Sequence, residues 1–369
     1  MILNRRNAAH YLLPIACLML AAAINISGLP LDEMDLAVRV VLSLLSTALM
    51  FATVFVVLHH AERIAHKVGE PYGTLVLTLS VTTIEVSVIL SMMLNGENNP
   101  TLARESVFST VMIVTGGVVG LCLTLGGWKH RHQDLKKQGT NAYLAVLMAL
   151  AVLTLILPDY TLATDPGTFS ELQLGFVSLL SALLYVSFVF AQMGRHRDDF
   201  VESLDDHVAT AEESEAAPGI WTNLVLLAVG LIGIVMLAEQ IAGGIEDGLA
   251  AIEFSQADAL VGAFIATLVL LPEAMSAVRA AMRNELQRSL NVALGSACAT
   301  IGLTIPAVAV ASLITGKGLT LGLNAADTVL LLLALGVSFV SFGTGRTTVL
   351  TGLVHLVVFF AYVLLIFAP

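Results

Sequence analysis

Residues 73–95 read GTLVLTLSVTTIEVSVILSMMLN, an apolar run with a single ionisable side chain, Glu85, near its middle. Its length matches the ~20 residues an α-helix needs to cross a bilayer. Working outward, apolar stretches broken by charged or Gly/Pro-containing loops predict spans at 11–28, 37–59, 73–95, 106–127, 142–158, 171–192, 220–241, 258–279, 289–314, 326–343 and 347–367. Hydrophobic residues make up 57% of the 369-residue chain and charged residues 12%, against about 25% charged in an ordinary globular domain. Mean hydropathy is +0.88. Such a chain cannot cover a soluble core, so the expected fold is all-α and polytopic, with eleven transmembrane helices. No small-residue cleavage site follows the run at 11–28, which predicts a retained span and not a signal peptide.

Placing the N-terminus in the cytoplasm puts fourteen of the seventeen Lys and Arg residues on that side, leaving Arg39, Arg104 and Lys317 outside, as the positive-inside rule requires. The basic residues form no stripe, so nucleic acid is not an expected partner; the bilayer and cations are. The net charge is −11. Cys17, Cys122 and Cys298 lie far apart in apolar runs and read as small core residues. His59, His60, His66, His130 and His132 gather near one surface without metal-ligand spacing. Residues 198–215, DDFVESLDDHVATAEESE, read either as a solvated hinge or as a cation-gathering segment.

That acidic stretch, within a linker at 193–219, separates residues 37–192 from 220–369, each with five predicted spans. Five is odd, so the second half enters the membrane with reversed polarity, as in inverted-repeat transporters whose sites lie near the bilayer midplane. The span within residues 1–36 is left over, giving a one plus five plus five arrangement. The second span of each half carries an isolated acid: Glu85 in the first, and Glu273 in DALVGAFIATLVLLPEAMSAVR (258–279) in the second. A charge at such depth costs about 2.5–3.5 kcal/mol even on insertion scales, which predicts that both are functional and meet in one dry pocket.

Helical spacing places Thr78 and Thr82 on the face of Glu85, and Ser276 on the face of Glu273. These hydroxyls either ligate or bond back to their own backbone. Pro272 removes an amide beside Glu273 and is expected to free carbonyl oxygens there. Carboxylates and carbonyls are hard ligands suited to calcium or sodium. Repulsion and desolvation together disfavour an empty, doubly ionised pair. Protons and cations therefore compete for Glu85 and Glu273, and alternating exposure of the loaded pair gives cation/proton exchange.

With HKVGEPYGTL (66–75) and LSVTTIEVSVI (79–89), the chain resembles the first α-repeat of the calcium/cation antiporter superfamily, in its cation/proton exchanger branch of ChaA type. LLPEAMSAVRAAMRNELQRSLNVALGSACATIGLTIP (270–306) resembles the second α-repeat, and FGTGRTTVLTGLVHLVVFFAYVLLIF (342–367) the family's end. The resemblance spans essentially the whole chain. It implies a sodium/calcium-exchanger-like inverted repeat, with α-repeats at about 69–127 and 258–314, in a multi-pass protein of the bacterial inner membrane. It further implies export of cytoplasmic Ca2+ (with Na+ or K+ as the alternative) against H+, with Glu85 and Glu273 as the acidic ligands and no bound cofactor. Plant and fungal-type exchangers carry Asn three residues before each glutamate and His after the second. This chain has Thr82, Leu270 and Ala274 there, so its site is poorer in fixed oxygens.

Ser109 with Thr110, and Ser296 with Asn291, are supporting candidates at corresponding places in the two repeats. Glu70, before Pro71, reads either as a helix start or as a cation-access residue. His355 reads either as an interior hydrogen-bonded histidine or as a proton relay. A channel of the same architecture fits less well than an antiporter, because buried proton-accepting acids imply binding and reorientation. An enzyme is not expected: the chain has no GxGD motif, nucleotide loop or serine elbow. Nothing in the sequence sets an oligomeric state.

Overall fold

The computed structural model describes residues 5–27, 36–68, 72–95, 99–194, 196–200, 219–251, 254 and 256–369. The described residues form eleven long helices: α1 (Arg5–Ser27), α2 (Leu36–Val68), α3 (Tyr72–Asn95), α4 (Leu102–His130), α5 (Lys137–Tyr160), α6 (Glu171–Met193), α7 (Ile220–Ala251), α8 (Ala257–Met282), α9 (Leu286–Thr315), α10 (Ala325–Gly343) and α11 (Val349–Phe367). Nine contain stretches long and apolar enough to cross a bilayer; α1 and α3 carry the shorter apolar stretches His10–Ile24 and Thr78–Met93 among the described residues. Two short strands, β1 (Gln133–Asp134) and β2 (Arg346–Thr347), pair antiparallel.

Several helices outrun their predicted ends. α2 continues past 59 to Val68, and α7 past 241 to Ala251, so the segment between the predicted spans 220–241 and 258–279 is helical over its first part. Ile241, Ile245 and Leu249 recur every fourth residue there and hold the helical period. α4 opens at Leu102, not 106. α6 and α10 start on side-chain caps, with Ser170 accepting from the Gln173 amide and Asn324 from the Asp327 amide, which satisfies amides that have no intrahelical partner.

The helices group into two compact units. One comprises Met1–Glu97 and Asp205–Phe254, the other Asn98–Leu204 and Ser255–Pro369, so each draws on both halves of the chain. In the first, α7 packs against α1, α2 and α3. Gly233 admits the backbone of α1 at Leu18. In the second, α4 packs on α8 and α11, while α9 packs on α5, α6 and α8. Its core is aliphatic, with Tyr143, Phe188 and Phe200 meeting edge to face. Cys17, Cys122 and Cys298 are free and buried, as predicted for core residues.

π-helical stretches interrupt α4 at Ile113–Val118 and α9 at Thr300–Thr304, the third helix of each five-helix half; a third lies in α5 at Val152–Ile156. The fifth helix of one half pads the π-stretch of the other: Gly116 lies against Phe359 of α11, and Gly302 against Tyr185 of α6. π-turns widen the backbone and collect at functional sites. Their reciprocal padding is what a duplicated, inverted five-helix unit produces.

Candidate cation site

Glu85 lies in the first unit on α3. Only 2% of it is exposed, Thr82 beside it is buried, and Thr78 one turn further back is half-buried. The exposed Thr83 hydroxyl bonds back to Leu79 O at 2.6 Å, so one hydroxyl of this helix serves its own backbone.

Glu273 lies in the second unit on α8. Its carboxylate accepts a hydrogen bond from Ser296 Oγ of α9. Gly295 beside Ser296 sits against the Tyr143 ring, and Gln192 of α6 donates to the Tyr143 hydroxyl at 2.5 Å. Tyr185 of α6 packs over Gly302 of α9. The site half on α8 is thus built by α5, α6 and α9. α8 runs through Pro272 as one helix, whose buried ring interrupts the amide ladder one residue before the carboxylate.

Ser276 is exposed and makes no hydrogen bond to Glu273; the face-sharing argument sees one helix only, and the hydroxyl that reaches the carboxylate comes from the neighbouring helix. Asn291 is committed elsewhere, donating to Phe200 O at 2.6 Å and accepting from Gln287 at 2.8 Å. Of the acidic stretch only 198–200 is described: Phe200 is buried, and the carbonyl of the exposed Asp198 accepts from Lys136 Nζ at 2.7 Å. Residues 201–218 lie outside the described residues, as does Glu70.

Ser109 and Thr110 are both buried on α4, and Ser109 Oγ accepts from the Tyr362 hydroxyl of α11 at 2.7 Å. His355 is an interior histidine: Nδ1 lies 2.6 Å from Thr115 O and Nε2 3.0 Å from Ser341 Oγ.

The sequence reading missed an ionic cluster at the start of α4. Glu105 is only 5% exposed, and Arg104 donates to its Oε1 through Nε at 2.9 Å and Nη2 at 2.6 Å. Arg104 Nη1 also reaches Gly322 O at 2.9 Å. Asp258 at the start of α8 accepts from Asn99 at 3.0 Å and Thr101 at 2.6 Å. The cue was available: Glu105 directly precedes the predicted span at 106 and shares a helical face with Ser109.

Residues 38–194 and 222–368 match the sodium/calcium exchanger protein family. The chain is 44% identical over 331 residues to the putative ionic transporter y4hA of Sinorhizobium fredii, covering 89% of each. It is 36% identical over 340 residues to the sodium-potassium/proton antiporter ChaA of Escherichia coli, covering 91% of this chain and 92% of that protein. Among solved structures, native YfkE superimposes with a TM-score of 0.70 at 15% identity, covering 98% of this chain and 100% of that one; its fold is the one seen here. The chain therefore belongs to the sodium/calcium exchanger protein family, within the calcium/cation antiporter superfamily, as a cation/proton exchanger of ChaA type.

Proposed function

We propose that the protein is a secondary antiporter that exports cytoplasmic Ca2+ in exchange for H+ across the cell membrane, with Glu85 and Glu273 as a two-glutamate site. The observation that carries this reading is a carboxylate held by Ser296 within a membrane-spanning helix, in a member of a cation/proton exchanger family. Removing a carboxylate from water costs several kcal/mol unless a proton or cation compensates it. Each glutamate is thus stable protonated or cation-loaded, and the empty charged form is penalised. The loaded forms reorient and the empty one does not, so exchange is coupled. Calcium suits two hard carboxylates.

Glu85→Gln and Glu273→Gln are each expected to abolish exchange, read as acridine-orange dequenching in everted vesicles; wild-type flux in either variant refutes the assignment. Because protons compete for the same oxygens, half-saturation should move to higher cation concentration as pH falls. A second reading, Na+ or K+ exchange, is favoured by the 36% identity to a sodium-potassium/proton antiporter. Titrating Ca2+, Na+ and K+ separately in the same assay decides between them.

A further inference from the structure

α10 and α11 diverge to leave an open groove of about 650 Å3, within the ~300–1,000 Å3 typical of small-molecule sites. Its inner part is apolar, with Leu332, Val337 and Val340. Gly336 leaves its floor bare, since a Cβ there would meet no atom within 4 Å. At the end nearest the α10–α11 turn the lining changes to Ser341, Thr344 and Thr351. Two cations stand just beyond. The Lys137 side chain lies directly over Gly345, next to Thr344. Arg346 is exposed and donates through Nε to Asp134 at 2.6 Å, while its backbone carbonyl accepts from the Thr344 hydroxyl at 2.8 Å.

We propose that this groove binds a phospholipid with an anionic headgroup, its acyl chain over Gly336 and its phosphate at Thr344, Thr351, Lys137 and Arg346. Both walls are membrane-spanning helices, and the exposed lining residues Leu332, Leu333, Val340, Leu350 and Val354 are aliphatic, which suits an acyl chain. Its polarity runs one way, from aliphatic floor through hydroxyls to cations, as in one lipid leaflet from tail to head. The bound chain would lie beside Ser341, which holds His355 to α10, so occupancy stiffens the pairing of α10 and α11.

Native mass spectrometry of the full chain, in micelles doped with equal phosphatidylglycerol and phosphatidylcholine, tests the proposal. The wild type should retain phosphatidylglycerol in preference. Lys137→Gln and Arg346→Gln should each cut that preference about fivefold, the increment expected for one cation at a lipid surface. Gly336→Phe, whose Cβ would meet nothing within 4 Å, projects a ring from the open floor and should abolish retention of either lipid. Equal retention of the two lipids by the wild type, or undiminished binding by Gly336→Phe, overturns the proposal. So does a dimer that Gly336→Phe dissociates, which would assign the groove to a second copy of the chain.

Discussion

Arg104 and Glu105 are neighbours in sequence, where helical side chains normally diverge, yet the guanidinium folds back to place two nitrogens on one carboxylate oxygen. The same guanidinium also serves Gly322 O through Nη1 at 2.9 Å, which fixes it over the start of α4. Glu105 is buried, so removing its partner leaves a charge that water cannot reach. Breaking a buried pair in this way costs about 3–5 kcal/mol. Arg104→Gln should therefore lower the thermal unfolding temperature in detergent markedly, and Arg104→Gln with Glu105→Gln should recover most of the loss, because the neutral pair strands no charge. A double variant no better than Arg104→Gln alone would mean that Gly322 O, not Glu105, is the contact that matters.

At the scale of elements, α4 and α8 touch backbone to backbone. A Cβ on Gly262 would lie 2.7 Å from Glu105 C and Cβ and 2.8 Å from Ser106 N, atoms that cannot swing aside. Gly262→Ala must prise α8, the Glu273 helix, away from α4. The expected cost is about 1–3 kcal/mol, as for other overpacked cores, with transport reduced in parallel. Gly175 of α6, where a Cβ would meet nothing within 4 Å, is the control: Gly175→Ala should be neutral or stabilising by up to about 1 kcal/mol. Equal behaviour of the two variants in thermal unfolding would remove close packing as the cause. This contact also marks the limit of what the sequence discloses. Eleven helices were legible because each apolar run declares itself alone, and the placement of Glu85 on α3 and Glu273 on α8 because each lies deep within such a run. Ser296 reaching Glu273 and Asn291 turning to Phe200 both depend on which element lies beside which. Periodicity within one helix carries no information about that.

Across the whole molecule, hydrogen bonds between loops count the membrane crossings. Near the start of α1, His10 O lies 3.0 Å from Nε2 of His60, near the end of α2, and His60 Nδ1 lies 2.8 Å from Asn223 at the start of α7. The end of α4 reaches the end of α8 through Lys129 and His130 to Met282 O, and β1 joins β2 across the intervening helices. At the other end, Asp258 meets Asn99 and Thr101, and Arg104 meets Gly322. In every case the two linked loops are separated by an even number of helices, as they must be if each helix crosses the bilayer once. Lys129, Lys136 and Arg346 gather at one end, and the positive-inside rule predicts that this end faces the cytoplasm. Because Cys17, Cys122 and Cys298 are buried, a background with all three replaced by Ala can carry single cysteines at exposed loop positions. A membrane-impermeant maleimide should then label Ala163→Cys, in the α5–α6 loop, on intact cells. It should label His132→Cys, in the α4–α5 loop, only in everted vesicles. Labelling of both from one side would break the parity argument and with it the crossing of α5, whereas a clean exchange of the two patterns would leave the fold intact and reverse its orientation.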